Sequence, residues 1–327
     1  RPYDMSTDTM AEFMGVRVDP VDSTVNRQLE TVDKPLSSAG EVTRGEFGFV
    51  LDGRLNDSFK AANLLLAKNV EVRRATTAGE GVRIGDFIVA TSAADTILAE
   101  VAQTTGVDFL ALDTNVRNIS QIIRPSRLGM YQRYYGGNMD EGWTRGVLGQ
   151  FEFAYDQLHD AEVRLRNLRA NYDVILLPDA TYTGMLHGLS TDRMPPEYSG
   201  GMTIRGLANL FDFVVEGGTL VAMDSATELP LAIFDLPLRE VTSGQSDEDF
   251  FIPGTLLHLK VDPGHPLGYG MPEETTAFFS RSPAFSLGRP VNPRVRRVSG
   301  APEPPSSVRA IATYPTEGLL KSGWLLG

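Results

Sequence analysis

Apolar positions along this chain alternate between a short-run pattern and a helical one. Residues 47–51 form a brief apolar run and predict a strand. Residues 56–69 place Phe59, Ala62, Leu65 and Leu66 near helical spacing, which predicts a helix capped by Asn56. Strands are expected at 70–74, 86–90 and 107–112. Between the last two, Ser92 is expected to cap a helix with Ile97, Leu98 and Val101 on one face.

The pattern then starts again. A strand is expected at 128–132, a helix at 140–151 burying Trp143, Val147 and Phe151, and an extended stretch at 155–158. Another strand is expected at 174–177. Residues 181–201 lack a period and read as a long loop over the sheet edge or cleft. Ile204, Leu207, Leu210, Phe211 and Val214 make an apolar helical stripe. A Gly217-Gly218 pair stops that helix, because glycine reaches left-handed angles at low cost. Leu220 to Met223 then reads as a buried parallel strand, and Asp224, Ser225 and Thr227 are good caps for the helix after it. Strands at 128–132, 174–177 and 220–223 are expected to be adjacent and central, in a parallel sheet with helices on both faces.

From Leu238 the chain becomes strand-rich, with strands expected at 255–261, 276–280 and 308–314 around a Pro-rich excursion at 282–307. The expected organisation is an extended connector at 1–44 with one short helix at 10–14, a first α/β unit at 45–125 and a layered α/β domain at 126–240. A β-rich extension at 241–327 completes it. Arg1-Pro2-Tyr3-Asp4 and the apolar Gly323-Trp324-Leu325-Leu326-Gly327 both read as cuts in a longer polypeptide.

Composition narrows the function classes. A net charge of −12 disfavours nucleic-acid binding, which needs a basic surface. Arg294-Val295-Arg296-Arg297 reads as a solvated loop. No apolar run approaches the roughly 20 residues that cross a bilayer. The absence of cysteine removes disulfides and thiolate metal sites.

Chemistry-bearing residues are sparse. Strand-to-helix turns at the carboxyl ends of open α/β sheets carry nucleophiles and ligands, and the turn after 220–223 offers Ser225. Of the four histidines, only His187 starts from a loop expected to overhang the strand ends, so it is the one candidate base. A structural Ser225 is the expectation. The alternative is a serine hydrolase. Tyr134, Asp179 and Asp224 line an expected ligand cleft. Asp179, Asp224 and Glu228 form a carboxylate group that could hold a cation such as calcium or act as helix caps. His159-Asp160-Ala161-Glu162 has the H-x-x-E form of a zinc pair, with His258 and His265 as distant third ligands. Its charged surroundings at 156–169 suit a solvated connector instead. Gly136-Gly137-Asn138 could cradle an anion before a helix, yet Asp140 and Glu141 in the first turn favour the helix dipole themselves.

The stretch Asn171-Tyr172-Asp173-Val174-Ile175-Leu176-Leu177-Pro178-Asp179 and the strand entry Gly217-Gly218-Thr219-Leu220-Val221 resemble the class I glutamine amidotransferase-like fold, a flavodoxin-like layered sheet. In that family a cysteine occupies the turn after the strand, with a His-Glu pair supplied later. Here the turn is Asp224-Ser225-Ala226, and no His-x-Glu follows. A second resemblance covers nearly the whole chain. Arg1-Pro2-Tyr3-Asp4, Phe13-Met14-Gly15-Val16, Tyr134 to Arg145 and His265-Pro266-Leu267-Gly268-Tyr269-Gly270 are similar to the region after the catalytic domain of large bacterial secreted zinc carboxypeptidase-like metallopeptidases. That resemblance implies an extracellular or periplasmic protein whose peptidase domain lies upstream and is this chain's partner. It implies zinc in that domain only, with a peptide or polymer substrate.

Overall fold

The computed structural model describes residues 38–134, 139–165, 167–242, 244–280, 282–288 and 308–327. The expected short helix at 10–14, most of the 1–44 connector, the Gly136-Gly137-Asn138 loop and the 294–297 basic cluster lie outside the described residues. Two compact units divide the chain. One is drawn from Arg1–Arg124, Ser246–Arg281 and Ala310–Gly327, the other from Pro125–Gln245 and Ser282–Arg309. Residues 246–281 and 310–327 therefore cluster with the first unit and 282–309 with the second, across the boundary expected near 241.

In the first unit, β1 (Gly48–Leu51), α1 (Asn56–Ala67), β2 (Val72–Ala75), β3 (Phe87–Val89), α2 (Asp95–Thr105), β4 (Leu110–Leu112) and β5 (Ser120–Ile122) follow one another. The sheet order is β4-β1-β3-β2-β5, with every pair antiparallel. β1 and β2 both run against β3 and so run with each other, which makes β1-α1-β2 a split crossover with a strand inserted. The inserted strand makes every pairing of this α/β unit antiparallel. Phe49, Leu51, Val72, Phe87 and Val89 meet Leu65, Leu98 and Val101 in a core on one sheet face, while Val50, Ile88 and Leu112 point to a smaller core on the other. Leu55 and Ala94, not Asn56 and Ser92, occupy the residues preceding the two helices, and neither caps through a side chain.

The second unit contains β6 (Leu128–Tyr131), α3 (Met139–Gln150), β7 (Tyr155–Leu158), α4 (Asp160–Val163), α5 (Leu168–Asn171), β8 (Val174–Leu177), α6 (Tyr182–His187), α7 (Thr203–Val215), β9 (Thr219–Ala222), α8 (Glu228–Ile233) and β10 (Leu238–Glu240). Its sheet has the order β7-β6-β8-β9, and all three pairings are parallel. Counted along the chain this order is 2-1-3-4, that of a flavodoxin-like sheet. β6, β8 and β9 are neighbours as expected, but β9 ends the order and β7 joins the other side.

The core lies on the face where Tyr131, Leu158, Ile175 and Leu177 meet Val163, Leu168, Met185, Leu210 and Phe213. Helix α3 is not packed as expected. Trp143 is 74% exposed and Val147 52%, and Glu141 is the one buried residue of that helix. The 3.6-residue spacing of Trp143 and Val147 makes a stripe, but no described surface covers it. The expected loop at 181–201 contains α6, whose N-cap Thr181 accepts the Gly184 N–H at 3.2 Å, and a single 3-10 turn at Pro196–Tyr198.

The remaining strands are β11 (Thr255–Val261), β12 (Glu274–Phe279), β13 (Phe285–Leu287), β14 (Ala312–Thr313) and β15 (Leu320–Ser322). β13 pairs with β10, while β12, β14 and β15 all pair antiparallel with β11. The apolar end of the chain finds a partner, since Leu326 bridges Phe251. No helix among the described residues is long and apolar enough to cross a membrane.

Candidate functional site

Two clusters sit at the carboxyl ends of the parallel strands, where open α/β sheets present their loops to ligands. The first follows β6 and β7. Tyr131, the last residue of β6, donates its hydroxyl to Asp160 Oδ1 at 2.7 Å. Asp160 is only 4% exposed, and burial is the main cause that raises its carboxyl above the ordinary range, against the lowering effect of the Tyr131 bond. The same burial, with the Asp160 charge, raises the Tyr131 phenol.

His159 holds the turn between β7 and α4. Its ring lies flat on Tyr134, with centroids 4.4 Å apart, and its Nδ1 is 3.0 Å from the Gln132 carbonyl oxygen. A carbonyl only accepts, so Nδ1 carries the proton and Nε2 is the basic nitrogen. Glu162 accepts the His159 backbone N–H at 3.0 Å, the returning half of a capping box. The H-x-x-E pair is thus a helix start. It does not fit a zinc centre, and no group of three or more His, Cys, Asp or Glu among the described residues could hold a metal ion.

Beside this cluster is a cavity of about 220 Å³ lined by Arg133, Tyr134, Asp160, Tyr198 and Leu189, with Gly184 and Gly188 contributing backbone. Tyr198 meets Tyr134 edge-on at 5.1 Å. Arg133 Nε is buried with no hydrogen-bond partner among the described residues. A side chain at Gly184 would come within 2.9 Å of the Arg133 guanidinium, so the bare glycine leaves that group room.

The second cluster is the turn after β9. Its left-handed residue is Asp224, with φ of 48°, and not Ser225. Aspartate tolerates this region better than most residues. The backbone therefore makes a sharp strand-to-helix elbow with a carboxylate at the apex. Asp224 Oδ2 accepts the Ser282 hydroxyl at 2.7 Å, and Oδ1 lies 3.4 Å from the Ser225 hydroxyl. The Ser225 N–H, which would face a reacting oxygen at such an elbow, donates to Asp179 Oδ1 at 3.0 Å. Among the described residues neither Ser225 nor Asp224 caps the following helix through its side chain. Instead Thr227 Oγ1 donates to the Asp224 carbonyl at 2.5 Å. His187, exposed at the end of α6, is not a partner of Ser225 among the described residues. Glu228 accepts the Tyr182 N–H at 3.1 Å and so ties α8 to the start of α6.

The residues named from the sequence thus separate. Asp224 and Ser225 share one turn, to which Asp179 from the loop after β8 is hydrogen-bonded, Glu228 anchors a helix, and Tyr134 belongs to the cavity. Arg133 and Asp160 were not singled out as site residues. Each immediately follows the end of a strand pattern or lies two residues past it, and that position was the available signal.

No family model matches the sequence, and no curated protein matches it. Two solved structures are similar. One is a glutamine amidotransferase from Thermotoga maritima, at 10% identity and TM-score 0.33, covering 51% of this chain and 65% of that one. The other is a ThuA-like protein from Bacteroides uniformis, at 10% identity and TM-score 0.26, covering 49% of this chain and 59% of that one. This chain spans less than two thirds of the length of either. The flavodoxin-like character of the sheet is read from its own parallel pairing and 2-1-3-4 order.

Proposed function

We propose that this chain is a non-catalytic accessory domain of a secreted zinc carboxypeptidase-like protein, carried on an amidotransferase-like frame. Its work is to pack against and orient the upstream peptidase domain, which holds the zinc and receives the peptide or polymer substrate. The observation that carries the non-catalytic part is the Ser225 N–H donating to Asp179. A nucleophile needs a base, an orienting group and free oxyanion donors. Here the apex holds a carboxylate, and the first oxyanion donor is already neutralised by a second one. A bound carboxylate at that point repels the negative charge that develops in acyl transfer.

The test is direct. The chain should give no labelling with a fluorophosphonate, no release of ammonia from glutamine and no hydrolysis of a C-terminal peptide residue, with or without zinc. Ser225→Ala should leave stability within about 0.5 kcal/mol, as for a side chain with one weak partner. Turnover abolished by Ser225→Ala would overturn the reading and favour a hydrolase. A small-ligand module is the second reading, favoured by the cavity next to Arg133.

A further inference from the structure

We propose that the cavity at the carboxyl ends of β6 and β7 binds a small hydroxylated monocarboxylate of about the size of a sugar acid, with Arg133 taking the carboxylate and Asp160 a hydroxyl. Four observations carry this, and none depends on the elbow. The position is the first. The chain runs from β6 out to β7 on one edge and crosses back to β8 on the other, so the strand order reverses between β6 and β8, and the lining draws on residues that follow both strands. The second is size. About 220 Å³ is below the roughly 300–1,000 Å³ of pockets for drug-sized ligands, so the occupant is smaller.

Charge is the third. Arg133 forms no ion pair among the described residues, and its Nε is buried without a partner. A planar guanidinium in that state is matched by a carboxylate, which it can bind through two parallel hydrogen bonds. Asp160 lines the same cavity and has Oδ1 engaged by Tyr131. Its Oδ2 has no hydrogen bond from a described residue and can accept from a ligand hydroxyl. The carboxylate also selects against a dianion such as phosphate, which it repels. The fourth is shape. Tyr134 and Tyr198 set two rings at 73°, beside Leu189, and offer C–H and ring surface to a compact ring.

The inference goes beyond the accessory role and rests on no catalytic step. It is tested by calorimetric titration of the whole chain with D-glucuronate, D-glucose, propionate and a blocked dipeptide with a free carboxyl end. Glucuronate should bind saturably and about tenfold more tightly than glucose or propionate. Arg133→Gln should bring glucuronate down to the level of glucose, and Tyr198→Ala should weaken both sugars together. If Arg133→Gln does not melt cooperatively, Arg133→Lys serves, since it keeps the charge, loses the fork and should still weaken glucuronate. Equal binding of the small probes, no saturable binding of glucuronate, an unchanged preference in the Arg133 variant, or binding of the dipeptide alone would each overturn the site. The non-catalytic reading would survive any of these, because it is judged by labelling and turnover.

Discussion

Asp160 is a buried carboxyl whose proton affinity is coupled to folding. Burial raises it above its ordinary 3.8, so the folded chain keeps this proton at pH values where the unfolded chain has released it. Stability then falls as pH rises from about 3.8 through the folded value, and stays at the lower level above it. Asp160→Asn keeps an acceptor for Tyr131 and removes the titration. Its stability relative to the parent should be lowest near pH 3 and should rise by pH 7, in favour of the variant, as read by urea midpoints across that range. A flat difference would show that Asp160 is not held above its ordinary value. Asp52 works with the opposite sign. Its hydrogen bond from Arg54 holds it at about 2, so its contribution is present above 3.8 and is lost as pH falls toward 2. At the elbow, Asp179 and Asp224 show why a residue-type reading misassigned the turn. Both Asp and Ser are good caps by type, and only the left-handed angle at Asp224 distinguishes the apex.

The end of α7 shows two glycines doing different physical jobs. Gly217 has φ of 89° and donates to the Val214 carbonyl, while the Gly218 N–H reaches back to Phe213 O at 2.8 Å. Together these bonds make a Schellman close. A Cβ at Gly217 would meet nothing within 4 Å, so its cost is conformational only. A Cβ at Gly218 would lie 2.4 Å from the Phe213 ring, a fully buried core group. Gly217→Ala should therefore cost about 1–2 kcal/mol from backbone strain, and Phe213→Leu should not change that cost. Gly218→Ala should cost about 1–3 kcal/mol from overpacking, part of which Phe213→Leu restores. A double-mutant cycle in urea checks both, and equal coupling at the two positions would refute the division. This helix end was legible in the sequence because the Gly pair follows an apolar stripe. Other elements were not. α6 is six residues long, too short to show a period, so its stretch has the look of a loop. β13 is three residues next to a Pro-rich run. The antiparallel sheet of the first unit was hidden because β3 inserts between β1 and β2 from later in the chain, and strand order is not written in local periodicity.

At the scale of the molecule, chain continuity and compactness disagree. The chain leaves the first unit after Arg124, returns at Ser246, departs again after Arg281 and returns at Ala310. The consequence differs for the two units. Every buried residue of the second unit's main core, from Tyr131 to Leu229, lies between 125 and 245. So do all four strands of its parallel sheet. Cutting at 245 removes β13, the partner of β10, and Ser282, the partner of Asp224. Those are peripheral hydrogen bonds, each with a net value of about 0.5–1.5 kcal/mol, against a core that stays whole. A fragment of residues 125–245 should therefore fold by itself, with a cooperative urea transition shifted to lower midpoint than that of the corresponding step in the full chain. The stretch 246–327 is the contrast. Its sheet is centred on β11, and Ile252, Leu256, Leu257 and Phe279 are its buried apolar residues among those described. So few buried side chains do not offset the conformational entropy of a stretch of this length, and that fragment should stay unfolded. Circular dichroism and urea titration of both fragments decide the matter. A 125–245 fragment without a cooperative transition would mean that the parallel sheet draws its stability from elsewhere in the chain.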